Sequence, residues 1–101
     1  MPEDIEAIKH AKYLAEQYPF TIDFSSRLRT GQTVTGLTAV ATDVNGNDVT
    51  STLCGTTTVS SPMASVLLKA NGGAVGQLYD LKLIAQCTAD ILEQLVVLEI
   101  R

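Results

Sequence analysis

Several residue types that mark common functional classes are scarce in this sequence. None of its 101 residues is tryptophan, only 5% are aromatic, and His10 is the single histidine. A core without tryptophan must be built mainly from aliphatic side chains. One histidine and two distant cysteines do not supply the three or four ligands of a zinc site, so we expect no metal and no cofactor.

Basic residues are also few. Seven Lys and Arg stand against eleven Asp and Glu, which gives a formal net charge of −4. Binding to a phosphate backbone requires clustered basic side chains, so we expect no nucleic-acid partner. No apolar run approaches the ~20 residues of a transmembrane helix, and the N-terminus lacks the pattern of a signal peptide. We therefore expect no membrane contact and a location in the cytoplasm.

The two cysteines, Cys54 and Cys87, are expected to be reduced thiols in that compartment. A disulfide between strands of opposite sheets remains the alternative. Neither cysteine has a basic sequence neighbour that would lower its thiol pKa, and His10 lies in a different segment. We predict that the protein is not an enzyme.

A glycine-rich stretch is the clearest local signal. Gly72, Gly73 and Gly76 precede an alternating run in which Tyr79 begins the apolar phase, and a second alternating run covers residues 64–70. The pattern predicts two strands joined as a hairpin by a sharp reversal. We expect the Tyr79 ring to be buried and its hydroxyl to bond to the backbone of the connecting loop.

Asn45 and Gly46 form the second strong turn signal, since Asn-Gly between strands favours a tight reversal. The neighbouring acidic and amide residues could suggest a calcium loop. An EF-hand would need a bidentate acid at its twelfth position and flanking helices, and neither is present. We interpret the segment as a turn.

The remaining pattern is mostly that of strands. Residues 2–16 repeat apolar side chains at helical steps, so residues 1–17 are predicted to form an N-terminal helical arm. Residues 18–101 are predicted to form a β-sandwich. The segment 90–101 also fits helical steps, but its β-branched residues favour a strand. The predicted strands are 20–24, 33–42, 49–54, 56–60, 63–70, 79–87 and 92–100, about seven in all.

Three stretches resemble a known family. They are FTIDFSSRLRTGQTVTG at residues 20–36, SVLLKANGGAVGQLYDLKLIAQC at residues 65–87, and the terminal LVVLEI. They are similar to the small immunoglobulin-like structural, or fibre-like, proteins of tailed bacteriophages and prophages. That family often has Trp where this chain has Phe24, and Gly-Arg where it has Ala89-Asp90.

The resemblance implies an immunoglobulin-like sandwich and a non-enzymatic structural or accessory component of a virion. Other virion proteins or a second copy of the chain would be its partners, contacted through sheet edges and the N-terminal arm. The chain would pass from the cytoplasm of a bacterial host into the virion. The alternative is a bacterial carbohydrate-binding or adhesion module, for which Tyr13 and Tyr18 are the candidate aromatic contacts.

Overall fold

The computed structural model describes residues 7–101, and the part of the expected helix before them lies outside this range. The described chain contains seven strands and one short helix. The elements are β1 (Ile8–Lys12), β2 (Tyr18–Asp23), β3 (Val34–Thr42), α1 (Thr50–Leu53), β4 (Cys54–Ser60), β5 (Met63–Leu68), β6 (Leu78–Cys87) and β7 (Ile91–Ile100).

The strands form two sheets. The larger sheet has the order β1-β7-β6-β3 and the smaller sheet the order β2-β5-β4. The pairing of β1 with β7 is parallel, and all other strand pairs are antiparallel. The prediction of a mostly-β chain arranged as a sandwich is confirmed.

The core lies between the two sheets and is aliphatic, as the composition requires. Alternate side chains of each strand point inward because successive side chains of a strand face opposite sides. The buried positions of the larger sheet include Leu81, Leu83, Ala85, Val96, Leu98 and Ile100. Those of the smaller sheet include Ile22, Ala64, Val66 and Leu68. Phe24, directly after β2, is fully buried among them.

A β-bulge changes the faces of β3. Strict alternation places Val34 and Leu37 on opposite faces, yet both are buried. Val34 pairs with Cys87 and Gly36 with Gln86, so β3 advances two residues where β6 advances one. The extra residue brings Val34 and Leu37 to the same face.

The expected N-terminal helix is wrong over the described residues. Ile8–Lys12 form strand β1, which pairs with Val96 to Ile100 of β7. The apolar spacing fits a helix, but a helix of this length gains little stability alone. The β7 edge offers backbone hydrogen bonds and a place in the core for Ile8.

The strand expected over residues 49–54 is also wrong. Thr50–Leu53 form one helical turn, and β4 begins at Cys54 and continues through Gly55. Asp48 holds the turn, since its carboxylate accepts hydrogen bonds from the Thr50 N–H at 2.9 Å and the Thr50 hydroxyl at 2.6 Å. The number of strands is seven, as expected, but the set differs. Strand β1 was not predicted, and the separate strand predicted at 49–54 does not form.

The glycine-rich stretch does not join a hairpin. It connects β5 in the smaller sheet to β6 in the larger sheet, so the chain crosses between sheets there. Both edges of β5 are already paired, with β2 on one side and β4 on the other. The hairpin expectation was wrong because alternation identifies strands without identifying their partners.

Candidate functional site

Gly72 begins the crossing between the sheets and is buried against α1. A Cβ atom at this position would overlap the carbonyl oxygen of Thr52. The close approach of two backbones therefore requires glycine here.

The next part of the crossing is organised around Tyr79. The ring is 7% exposed and packs over Gly73, where a Cβ would lie 2.9 Å from the ring. The Ala74 N–H donates to the Tyr79 hydroxyl oxygen at 2.9 Å. Gly76 has a φ of +86° and donates its N–H to the Ile100 carbonyl at 2.8 Å. These contacts position the loop.

Asn45 and Gly46 lie in a tight turn after β3. The Gly46 N–H donates to the Asp43 carbonyl at 3.0 Å, and Gly46 has a φ of +83°. The Asp43 carboxylate accepts hydrogen bonds from the Asn45 and Asn47 N–H groups, both at 2.9 Å, and from the Asn47 side chain. The bonds from Asn47 lower the pKa of Asp43. The carboxylate thus holds the turn itself.

The structure contains two free thiols. Cys54 is buried, and this burial raises its pKa to about 11. Cys87 is half-buried. A thiol with a pKa near 11 carries almost no thiolate at neutral pH, so Cys54 behaves as a core residue.

His10 and Tyr18 join the two sheets along one open side of the sandwich. His10 Nε2 on β1 lies 2.5 Å from the Tyr18 hydroxyl on β2, and the His10 ring lies 4.6 Å from the Phe20 ring. Burial lowers the pKa of His10 and raises that of Tyr18, while the charge of Glu16 raises both. Tyr18 is therefore engaged within the protein, whereas Tyr13 is 64% exposed.

Lys12 is an inward-pointing cation at the end of β1. The residue is 2% exposed, and its ammonium donates to the carbonyls of Tyr13 at 2.9 Å and Leu14 at 3.1 Å. Burial lowers its pKa, and the charge of Glu16 opposes this shift. Lys12 therefore stabilises the turn after β1. The prediction of a helix in this segment did not indicate this role.

The side of the larger sheet turned away from the core, here called the outer face, is the most distinctive surface of the protein. Its side chains alternate with the buried ones on the two central strands. On β6 they are Leu78, Asp80, Lys82, Ile84 and Gln86, and on β7 they are Ile91, Glu93, Leu95, Val97 and Glu99. The register places Leu95 opposite Lys82 and Val97 opposite Asp80, so apolar and charged side chains are interleaved.

Large apolar side chains are concentrated on this face. Leu78 is 54%, Ile91 71% and Leu95 40% exposed, and Val44 beside them is 76% exposed. They make up four of the seven exposed large hydrophobic side chains in residues 7–101. Val44 and Leu78 lie at one end of the face and Ile91 at the other, so the apolar side chains are spread among the charged ones. Such a mixed apolar and polar surface is typical of a non-obligate protein interface.

Three open grooves run along the outer face. The largest, about 670 Å³, lies between Arg27 and the outward side chains of β6 and β7. The others lie toward β1 and toward the Asn45-Gly46 turn. Their charged side chains comprise four basic residues, Lys9, Arg27, Lys82 and Arg101, and four acidic residues, Asp43, Asp80, Glu93 and Glu99. We call these the groove charges.

One end of the outer face is held by two arginines from the connection between β2 and β3. Arg27 donates to the Glu93 carbonyl at 2.7 Å. Arg29 forms a two-pronged ion pair with Asp90, with distances of 2.8 and 2.6 Å. Such planar pairing fixes orientation as well as distance. It ties this connection to the turn between β6 and β7.

The described residues contain no group of three or more His, Cys, Asp and Glu side chains positioned to hold a metal ion. Within residues 7–101, no helix is long and apolar enough to cross a membrane. No protein-family model matches the sequence, and no curated protein matches it at a significant level.

The outer face was not predicted from the sequence. Its signal was present in β6 and β7, where Leu78, Leu95 and Val97 occupy the phase opposite to the core residues. Apolar residues in both phases of one strand indicate that both of its faces are partly removed from water. That signal becomes interpretable once the pairing of β6 with β7 puts these residues side by side.

Proposed function

We propose that this chain is an immunoglobulin-like sandwich that serves as a non-enzymatic structural or accessory component of a tailed bacteriophage or prophage particle. It acts through protein–protein contacts. The observation that carries the proposal is the outer face, where exposed apolar side chains lie among charges of both signs. Such a composition favours a protein partner over a phosphate backbone, which attracts clustered positive charge.

The strand order supports the immunoglobulin-like assignment. Sheet β2-β5-β4 corresponds to strands B, E and D of an immunoglobulin domain, and β3, β6 and β7 correspond to C, F and G. The first strand differs from the constant-type arrangement, because β1 lies at the β7 edge and not beside β2.

Tyr79 supports the same assignment. It lies near the start of the strand that corresponds to F, and its hydroxyl accepts a hydrogen bond from backbone five residues upstream. This is the arrangement of the tyrosine corner, which recurs in immunoglobulin-like sandwiches. The contacts of Tyr79 therefore give a structural reason for the Gly-Gly-x-x-Gly-x-x-Tyr sequence, which is part of the family resemblance.

Association with particles tests the virion assignment. Phage or prophage particles released by the bacterium that encodes the chain would be purified by density gradient and analysed by mass spectrometry. We expect the chain to co-sediment with the particles in constant ratio to their major proteins. A chain found only in the free-protein fractions would contradict the proposal, and binding to glycans by that free chain would favour the adhesion alternative.

A further inference from the structure

We propose that the outer face of the larger sheet is the contact surface for a second copy of this chain, which packs against it as a two-fold dimer. The inference rests on the proposed function, since it names one partner and one surface for a protein that acts by protein–protein contact. Three observations of the outer face carry it: its apolar content, its charge balance and its size.

The apolar content comes first. Leu78 and Leu95 are partly exposed on adjacent strands with Val97 between them, and Ile91 is exposed at the far end of the face. In a face-to-face packing of two sheets, such side chains interdigitate and are removed from water. The smaller sheet has fewer such residues in its outward phase, where Met63 of β5 is 37% exposed.

The charge balance of the face selects the partner. The groove charges are four basic and four acidic residues, so within residues 7–101 the face is formally neutral. Charges of both signs on one surface can pair with their opposites on an identical surface related by a two-fold axis. A strongly acidic or strongly basic partner would find as many repelling charges as attracting ones.

The size of the face is sufficient for a reversible dimer. Four strands at about 4.8 Å spacing and up to ten residues at about 3.3 Å each cover on the order of 600 Å² in projection. Standard interfaces bury about 800 Å² of accessible surface per partner, and this smaller face falls in the range of weak, reversible complexes. We expect a dissociation constant on the order of micromolar, since a partly polar interface of this size is not an obligate one.

The experiment is sedimentation velocity, with light scattering on a size-exclusion column, from about 1 to about 500 μM full-length chain, a range that brackets micromolar affinity. The decisive variant is Leu95→Glu, at the centre of the outer face. The matched control is Met63→Glu, because Met63 is also a partly exposed strand residue, 37% against 40%, and the change adds the same charge. Circular dichroism melts establish that each variant is folded.

We expect the wild type and Met63→Glu to shift from the 10.8 kDa monomer to the dimer with rising concentration. Leu95→Glu should need at least about tenfold higher concentration to dimerise, as expected for loss of a central apolar contact. If Leu95→Glu does not fold, Ile91→Glu at the exposed start of β7 provides the same test. A monomeric wild type, or a Leu95→Glu protein that dimerises as readily as the wild type, overturns the inference.

The two proposals fail separately. A chain that co-sediments with particles but is monomeric in solution overturns the dimer and leaves the virion assignment in place. A chain that dimerises through the outer face but is absent from particles overturns the virion assignment and leaves the dimer in place.

Discussion

At the scale of single residues, Tyr79 links the crossing loop to the core. Its ring covers Gly73, and its hydroxyl accepts the Ala74 N–H. The ring contributes apolar burial, and the hydroxyl satisfies a backbone donor in a loop that joins the two sheets. These two contributions can be separated by substitution.

Tyr79→Phe should reduce the free energy of unfolding by about 1–2 kcal/mol, because the Ala74 N–H loses its acceptor in a partly buried position. Tyr79→Ala should reduce it by about 3–5 kcal/mol, since the ring is then replaced by a cavity. Urea unfolding followed by circular dichroism measures both changes. Tyr13→Phe, at a 64% exposed position, is the control and should stay within about 0.5 kcal/mol of the wild type. A Tyr79→Phe protein as stable as the wild type would contradict a role for the hydroxyl.

At the scale of elements, β1 is held by one edge of the larger sheet and by a contact with the smaller one. It pairs in parallel with the second half of β7, and His10 reaches across to Tyr18 and Phe20 of β2. His10 is therefore a side-chain contact between the larger and the smaller sheet at the β1 edge. Its protonation should affect how firmly β1 is held.

Stability should fall between about pH 7.5 and pH 5.5 because of His10. Burial lowers its pKa in the folded state below the ordinary value of about 6.5, so the unfolded chain binds the proton more readily. The contribution is fully present above the unfolded pKa and decreases as the pH falls toward the lower folded pKa. Urea unfolding at both pH values measures it. His10→Gln should show a smaller decrease over this range, and an equal decrease in both proteins would exclude His10 as the cause.

At the scale of the whole molecule, acidic side chains stabilise several of the connections between strands. Asp23, Asp43, Asp48 and Asp90 each accept hydrogen bonds within a turn or across two loops. In every case these bonds lower the carboxyl pKa in the folded state. The turns of this acidic protein therefore depend on ionised carboxylates.

The protein should lose stability below about pH 4, separately from the His10 effect. A carboxyl group with a lowered folded pKa contributes stability above its unfolded pKa, about 3.9, and this is lost as the pH falls through the folded value. Unfolding by urea between pH 5 and pH 2 measures the loss. The double variant Asp43→Asn with Asp90→Asn should show a shallower dependence on pH in this range. The same slope in both proteins would contradict the assignment to these carboxyl groups.

Much of the fold could be predicted from local patterns. β6 and β7 follow from alternation, and the choice of a strand over a helix for residues 92–100 is confirmed. β1 and α1 were missed because neither is specified by its own residues. β1 depends on the free edge of β7, and α1 depends on hydrogen bonds that Asp48 makes to Thr50. Short segments of weak propensity take the structure that their neighbours allow.

The candidate site was harder to predict than the fold. Leu78 and Leu95 can be recognised as apolar residues in the outward phase, but they lie on two different strands. Only the strand order places them on one face with Val44 and the groove charges. A surface that is assembled from several strands has no single sequence motif.

The sequence by itself determined an aliphatic core, a mostly-β chain, an acidic net charge and the places where the backbone turns. These properties follow from composition and from the period of two along each strand. The tertiary structure decided which strands pair, that the glycine-rich crossing passes from one sheet to the other, and which outward side chains form one face. Alternation defines the two faces of each strand but not its neighbours. Backbone pairing and burial across the whole chain place β5 between β2 and β4, and β6 between β3 and β7.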